Sequence, residues 1–188
     1  MSDLLKVSSN PHVRSKASTT SIMLLVVISL FPAAGFGIYH FGVRAFWIIA
    51  ITVVTCVLTE LVFELICRKK IPIRDCSAIV TGMLLALNLP VTVPFWIPVV
   101  GGVFAILVVK MLFGGLGQNF MNPALGARCF LLLSFASIMT NYEVEGITSP
   151  TPLVTLRAGG DIELMDLIIG NTGGTIGETS LIALVAGG

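Results

Sequence analysis

The richest set of ligand-binding groups in the sequence lies in one glycine- and asparagine-rich block, FGGLGQNFMNPALGAR (Phe113–Arg128). Its glycines allow positive φ angles and close approach of the backbone to a ligand. Gln118, Asn119 and Asn122 supply amide donors and acceptors, which suit a neutral, flat ligand that forms several hydrogen bonds. The alternative is structural: Asn122 caps a helix, Pro123 occupies its first turn, and the glycines form a re-entrant turn.

Three glutamates are candidates for binding or moving a cation. Glu60 and Glu64 are four residues apart and share one face of a predicted helix, in an apolar segment where ionisable groups are costly unless paired or hydrated. Pairing with a basic residue and a role in an ion path are both open. Glu178 lies in TIGETS (Thr175–Ser180), which matches a capping box with Thr175 as the cap. The alternative is that Glu178 helps to bind a cation or a cofactor group.

A third feature is a threonine between two prolines. The segment VEGITSPTPLVTLRAGG (Val144–Gly160) is polar and turn-rich, and it places Thr151 between Pro150 and Pro152. Local sequence alone favours a turn here.

Several other kinds of chemistry are not indicated. The sequence lacks GxSxG, HExxH, Walker and GxGxxG motifs, so nothing supports a self-contained hydrolase, NTPase or nucleotide dehydrogenase. The four cysteines include no CxxC pair, and neither a disulfide framework nor a metal site within the chain is indicated. A basic patch with interleaved aromatic residues, typical of nucleic-acid binding, is also missing.

The composition places all these groups in a membrane protein. The chain has 188 residues, of which 55% are hydrophobic and 11% are charged, whereas a soluble domain has roughly 25% charged residues. Several apolar runs approach the roughly 20 residues that a helix needs to cross a bilayer. We therefore predict an all-α integral membrane protein, a multi-span helical bundle and not a barrel.

Five apolar segments are predicted to build the membrane region, residues 21–140. A kink is expected near Pro32 in the first segment. The third segment is only about 20 Å long as a helix, which predicts a short or broken helix. In the fourth, Lys110 is expected to extend its ammonium group towards the lipid headgroups. The segments are Ser21–Phe41, Ala45–Cys67, Ser77–Pro90, Val93–Phe113 and Ala124–Thr140.

The charge distribution predicts how the bundle is oriented. The basic cluster Arg68–Arg74 marks the cytoplasmic side, and the leader, residues 1–20, then lies on the same side. Residues 141–175 contain five acidic residues and one arginine, which suits an outer-face loop. Residues 176–188 begin a further apolar helix that stops short of a crossing. The sequence is therefore expected to be part of a longer chain, and the bundle to be half of an inverted-repeat, transporter-like fold.

Four stretches together resemble one protein family, which comprises the D subunit of the Rnf complex and the B subunit of the sodium-pumping NADH:quinone oxidoreductase. The resemblance extends over nearly the whole chain, and the asparagine-rich block is quite specific to the family. The stretches are SSNPHVRSKASTTSIM (Ser8–Met23), SAIVTGMLLALNLP (Ser77–Pro90), FGGLGQNFMNPALGAR (Phe113–Arg128) and GGTIGETSLIALVAGG (Gly173–Gly188).

The resemblance implies a covalent flavin on Thr151. In that family, a threonine in an outer-face Asp-x-x-Ser-Gly-Ala-Thr motif carries FMN through a phosphoester bond. The matching positions here run from Glu145 through Thr148 to Thr151, with Ser149-Pro150 in place of Gly-Ala. The spacing from acid to threonine is kept, whereas Ser-Pro makes the segment stiffer.

The resemblance also implies a non-covalent riboflavin near the cytoplasmic face, bound by Asn119 and Asn122 with Gln118 beside them. Amide groups suit a neutral isoalloxazine ring and ribityl chain better than a phosphate. The expected function is that of a flavin-carrying subunit of an ion-translocating ferredoxin:NAD⁺ oxidoreductase in the cell inner membrane. It would relay electrons across the membrane, coupled to Na⁺ or H⁺ transport. Its expected partners are the other membrane and peripheral subunits of the complex, a flavin transferase and the lipid bilayer.

A different class of function is also compatible with the sequence. The short third helix, the glycine-rich block and the intramembrane pair Glu60 and Glu64 would also suit a small-solute channel or carrier without a redox cofactor. Bound flavin in the purified protein discriminates between the two.

Overall fold

The two longest helices follow each other directly along the chain. In the computed structural model, which describes residues 18–67, 75–142, 170, 174–178 and 180–187, helix α1 spans Thr19–Phe41 and α2 spans Val43–Cys67. Only Gly42 separates them, with a φ of 72° that glycine adopts without strain. At 23 and 25 residues both helices are long enough to cross a bilayer. The first two predicted spans are confirmed to within two residues at each end.

The outward surfaces of these helices are apolar, as expected for a membrane protein. Large hydrophobic side chains along both helices are exposed, among them Leu25, Phe31, Leu58 and Leu65. Helix α1 is assigned as continuous through Pro32. The protein is therefore a helical membrane protein, and among the residues that the structure describes there is no β-strand beyond one isolated bridge.

Helix α3, Ser77–Leu87, is the short helix that the sequence predicts, and it lies at the centre of the bundle. Nine of its 11 residues are buried, and it packs against α1, α2 and the helical segments Trp96–Val103, Phe104–Met111 and Pro123–Ser134. A Cβ atom on Gly82 would lie 2.8 Å from the Cα atom of Val53 on α2. Only glycine therefore allows this close approach of two helices, the role that small residues commonly have in membranes.

The fourth helix departs from the prediction of one uniform span over Val93–Phe113. Helix α4 spans Trp96–Val103 and continues as a π-helix over Phe104–Met111. In the π-helix each N–H bonds five residues back, which widens the turn. Within it Lys110 lies buried, with 2% of its side chain exposed. The expectation that Lys110 reaches the headgroups is wrong, because the bundle interior offers a carboxylate to its ammonium group.

The fifth predicted span, Ala124–Thr140, is divided in two. Helix α5 spans Pro123–Ser134 and α6 spans Ala136–Met139. Between them Phe135 leaves the helical conformation, with φ −133° and ψ 45°. Its ring packs edge to face against Trp96, with ring centroids 5.1 Å apart. The break thus coincides with a contact to the start of α4.

The final helix, α7, spans Leu181–Gly187 and packs on α1. The predicted capping box is wrong, since Thr175 forms an isolated bridge with Pro90 and the helix begins six residues later. Physically, the end of α3 leaves carbonyl groups without helical partners. The N–H groups of Ile176 and Gly177 donate to the carbonyls of Leu89 and Leu87 at 3.1 and 2.9 Å, which keeps this segment non-helical.

Some predictions fall on residues outside the described ranges. These are the leader up to Ala17, the basic cluster Arg68–Arg74, and most of the predicted outer loop. The proposed flavin-attachment residues Glu145, Thr148 and Thr151 lie within that loop.

Candidate functional site: a cavity beside a buried ion pair

A cavity of about 210 Å³ opens where α3 and α5 begin. It combines apolar walls with a few polar groups, the usual composition of a small-molecule site. The asparagine-rich block supplies one wall and α3 supplies another. The lining residues are Met23, Ser77, Val80, Thr81, Leu84, Lys110, Leu116, Asn119, Asn122 and Pro123.

The glycine-rich turn carries the chain from the π-helix to the asparagines. Gly114, Gly115 and Gly117 have φ angles of 111°, 98° and 85°. Residues other than glycine rarely adopt such angles. The N–H group of Gly115 donates to the carbonyl of Lys110 at 3.0 Å and closes the turn. The predicted turn of glycines is confirmed, while its re-entrant position in the membrane stays a prediction.

Asn122 has two roles in the structure. Its Oδ1 atom accepts a hydrogen bond from the backbone N–H of Ala124 at 3.0 Å, with Pro123 in the first turn of α5. The predicted helix cap is therefore confirmed. The same residue lines the cavity. The structural and ligand-binding interpretations of Asn122 are thus compatible.

Asn119 has a buried amide oxygen that lacks a partner. Its Oδ1 atom is inaccessible to solvent and makes no hydrogen bond to the described part of the chain. Buried polar atoms in proteins are nearly always hydrogen-bonded. Asn119 thus combines an unpaired acceptor with a place in the cavity wall, which makes it a candidate ligand-binding residue. Gln118, by contrast, is exposed and does not line this cavity.

Beside the cavity lies a buried ion pair. The Lys110 Nζ atom donates to Glu60 Oε1 at 2.7 Å, and both side chains are 2% exposed. Nζ also donates to Ser77 Oγ at 2.6 Å, and that hydroxyl donates to Asp75 Oδ1 at 2.7 Å. Pairing of Glu60 with a basic residue, one of the two predicted alternatives, is confirmed. The pair is oriented, since Lys110 and Ser77 line the cavity and Glu60 does not.

Glu64 lies one helical turn beyond Glu60 and has no such partner. It is 2% exposed, and neither carboxylate oxygen makes a hydrogen bond to the residues that the structure describes. A buried carboxylate without a partner is costly in a membrane and marks a candidate for ion or proton handling. Its role in an ion path stays a prediction.

Glu178, the third candidate, lies away from this pair. Its Oε1 atom is 3.6 Å from Arg128, and its side chain is 60% exposed. The Arg128 guanidinium also donates to the side-chain oxygen of Asn88, just beyond the end of α3. The three residues connect α5, the end of α3 and the segment before α7. An ion-path role for Glu178 stays a prediction.

Two features of the structure were not predicted from the sequence. One is the inward position of Lys110 and its contacts with Ser77 and Asp75. The other is Arg44, whose guanidinium donates to the carbonyls of Val91, Thr92 and Val93 at 2.8, 3.2 and 3.3 Å. The inward position of Lys110 could have been predicted from the sequence, because a lysine within an apolar span is expected to pair with an intramembrane carboxylate.

Comparison with known proteins agrees with the motifs. Residues 6–188 match the NQR2, RnfD, RnfE family. The chain belongs to this family. The match covers all the residues that line the cavity and both members of the ion pair.

Curated relatives within the family include subunits of redox complexes. One is the D subunit of the Na(+)-translocating ferredoxin:NAD(+) oxidoreductase complex of Acetobacterium woodii, 49% identical over 98% of this chain and 61% of that protein. Another is the D subunit of the proton-translocating ferredoxin:NAD(+) oxidoreductase complex of Clostridium ljungdahlii, 37% identical over 99% of this chain and 61% of that protein. A third is the D subunit of the ion-translocating oxidoreductase complex of Aliivibrio salmonicida, 41% identical over 72% of this chain and 39% of that protein. The chain thus spans about three fifths of the length of the first two.

Proposed function

We infer that this chain is the flavin-carrying membrane subunit of an ion-translocating ferredoxin:NAD⁺ oxidoreductase. The family match and the names of the relatives support the complex. The observation that carries the flavin proposal is the orphaned, buried Oδ1 atom of Asn119 in a residue that lines a cavity.

The cavity fits a non-covalent flavin of the riboflavin type. The Asn119 oxygen can accept from a donor of the ring or the ribityl chain, and the Asn122 amide group is adjacent in the wall. At about 210 Å³ the cavity is smaller than the roughly 300–1,000 Å³ typical of pockets that enclose a whole ligand. The proposal is therefore that it holds part of the flavin, with the remainder extending out past the asparagine-rich block.

The proposed division of labour is that the flavin, when bound, supplies the electron chemistry and the protein controls position, charge and access of water. Asn119 and Asn122 orient the ligand. The apolar side chains Val80, Leu84 and Leu116 exclude water from it. Lys110 places a positive charge in the wall.

A second flavin, FMN joined by a phosphoester to Thr151, is proposed from the motif alone. Glu145 and Thr148 hold the matching positions of that motif. A flavin transferase is the proposed partner for its attachment. With Thr151 on the outer face and the asparagine block on the cytoplasmic face, the two flavins would form an electron route across the membrane.

The proposed orientation follows from the basic cluster between α2 and α3. Residues Arg68–Arg74 connect the end of α2 to the start of α3, where the cavity opens, and such clusters favour the cytoplasm. The cavity would then face the cytoplasm, in the cell inner membrane, with other Rnf subunits alongside. Two relatives differ in the cation that their names state, Na⁺ in one and protons in the other, so either ion is compatible. Glu60, Glu64 and Glu178 are the proposed ion-path residues.

The covalent flavin is tested by mass spectrometry of the purified complex. The peptide that contains Thr151 should carry an FMN adduct, which Thr151→Ala should remove. Thr155→Ala changes the same residue type in the same loop outside the motif and should keep the adduct. An unmodified Thr151 after co-expression with a flavin transferase would contradict this part of the proposal.

The non-covalent flavin is tested separately, by acid extraction and chromatography. Asn119→Leu should remove one equivalent of extractable flavin relative to the wild-type complex. Gln118→Leu is the matched control. The sequence resemblance places Gln118 beside the flavin, whereas its exposed position in the structure predicts that this variant retains the flavin. A full complement of flavin in Asn119→Leu would refute the assignment of this cavity.

A further inference from the structure

The two members of the buried ion pair lie at different distances from the cavity. Lys110 lines the cavity, whereas its partner Glu60 lies behind it on α2. The ammonium group is held by two short hydrogen bonds, to Glu60 at 2.7 Å and to Ser77 at 2.6 Å. Among the described residues that line the cavity Lys110 alone is charged, and the carboxylates of Glu60 and Asp75 that compensate it do not line the cavity.

The position of this charge is set by several elements together. Glu60 comes from α2, Ser77 from the start of α3, and Lys110 from the π-helix. Asp75 accepts hydrogen bonds from both the N–H and the hydroxyl of Ser77, at 3.0 and 2.7 Å. Asp75 therefore fixes the hydroxyl oxygen so that it can accept from Lys110. A charge held in this way needs no reorganisation when the charge of a ligand changes.

Reduction changes the charge of a flavin ring. A neutral ring that takes up two electrons, supplied in the proposed function by ferredoxin, and one proton from water carries one negative charge afterwards. A cation in a buried wall stabilises that product more than the neutral reactant, because charges interact more strongly away from water. The amides of Asn119 and Asn122 are uncharged and can both donate and accept, so they contribute less of this selectivity than a cation does.

We propose that Lys110 is a charge-compensating residue that raises the reduction potential of the flavin bound in this cavity, and that Glu60, Ser77 and Asp75 are positioning residues for it. This inference rests on the proposed function, since it requires a flavin at the asparagine-rich block. It goes beyond that function in assigning a residue that sets the reduction potential of this flavin.

The test is a spectroelectrochemical titration of the purified complex in a Thr151→Ala background. The relevant signal is the flavin component that is absent from Asn119→Leu. In Lys110→Met its midpoint potential should fall by at least about 30 mV, the equivalent of a tenfold change in the two-electron equilibrium constant. Arg44→Met is the matched control. It removes a cation from the same helix as Glu60 but sixteen residues earlier, about 24 Å away, and should leave the potential unchanged.

Because Lys110→Met leaves Glu60 buried without a partner, a second variant guards against a failure to fold. The double variant Glu60→Gln, Lys110→Met removes both charges together, a change that buried pairs tolerate much better. Its flavin should be retained, with a potential that is again lowered.

The outcomes separate the two proposals. A wild-type complex without extractable flavin would refute the proposed function and this inference with it. A flavin that is present, with an unchanged potential in the double variant, would overturn this inference alone. Loss of the flavin from the double variant in its oxidised state would also overturn it, because charge compensation concerns only the reduced form.

Discussion

Replacing Glu60 and Glu64 by glutamine, one at a time, tests whether pairing decides how much a buried carboxylate contributes to stability. The two residues lie on the same helix, four positions apart, and each is 2% exposed. They differ in their partners: Glu60 accepts from Lys110 at 2.7 Å, while neither oxygen of Glu64 has a partner among the described residues. The same chemical change is thus made in two matched positions.

The expected magnitudes follow from this difference. Removing one member of a buried ion pair typically costs about 3–5 kcal/mol, because the other charge stays buried without compensation. Glu60→Gln should fall near the lower end, since the amide oxygen can still accept from Lys110. Glu64→Gln breaks no interaction within the described chain and removes a buried ionisable group. It should leave stability unchanged or raise it, because no partner is lost and the cost of an unpaired buried carboxylate is removed.

The assay is thermal unfolding of the detergent-solubilised complex, followed by the fluorescence of its tryptophans, which include Trp47 and Trp96 in this chain. For a chain of this size, 1 kcal/mol corresponds to about 2–4 °C in the melting temperature. Glu60→Gln should therefore lower the melting temperature by at least about 6 °C, whereas Glu64→Gln should leave it unchanged or raise it. The double variant Glu60→Gln, Lys110→Met should recover part of the loss of Lys110→Met alone, because no unpaired charge remains.

Equal losses for the two glutamine variants would refute the reasoning, since burial alone and not pairing would then decide the effect. A larger loss for Glu64→Gln would show that Glu64 has a partner in the complex that outweighs Lys110.

Two further predictions concern packing. Gly82→Leu should prevent α3 from packing on α2, because even a Cβ atom would lie 2.8 Å from the Cα atom of Val53. The loss of detergent-stable complex should show this, whereas Gly35→Leu, where a Cβ atom meets nothing within 4 Å, should be tolerated. Arg44→Ala removes three hydrogen bonds to the connection between α3 and α4, so hydrogen exchange should accelerate at the backbone amides of Val91, Thr92, Val93 and Phe95. Unchanged exchange there would show that Arg44 does not hold this connection.

Much of the helical framework could be predicted from local sequence. Long apolar runs gave α1 and α2 to within two residues, and the short run before Pro90 gave the short helix α3. The cap at Asn122 was predictable because capping uses a side chain and a backbone group only two residues apart.

Where the prediction was wrong, distant residues were responsible. The lysine at position 110 was expected at the headgroups from its place in the span, but its side chain turns inward to Glu60, 50 residues away. Similarly, TIGETS has the spacing of a capping box. The N–H groups of Ile176 and Gly177 instead donate hydrogen bonds to carbonyls at the end of α3. Local pattern competes here with unsatisfied groups that lie elsewhere in the chain.

By itself, the sequence determined that this is a helical membrane protein, which segments are apolar enough to cross, and which block carries the amides of the candidate flavin site. These properties depend on composition and on spacing within one segment. Only the tertiary structure decided that Asn119, Ser77 and Lys110 line one cavity, and that Lys110 lines it while its partner Glu60 does not. Distances between groups on different helices depend on how those helices pack, and a buried charge takes the position in which its partner can neutralise it.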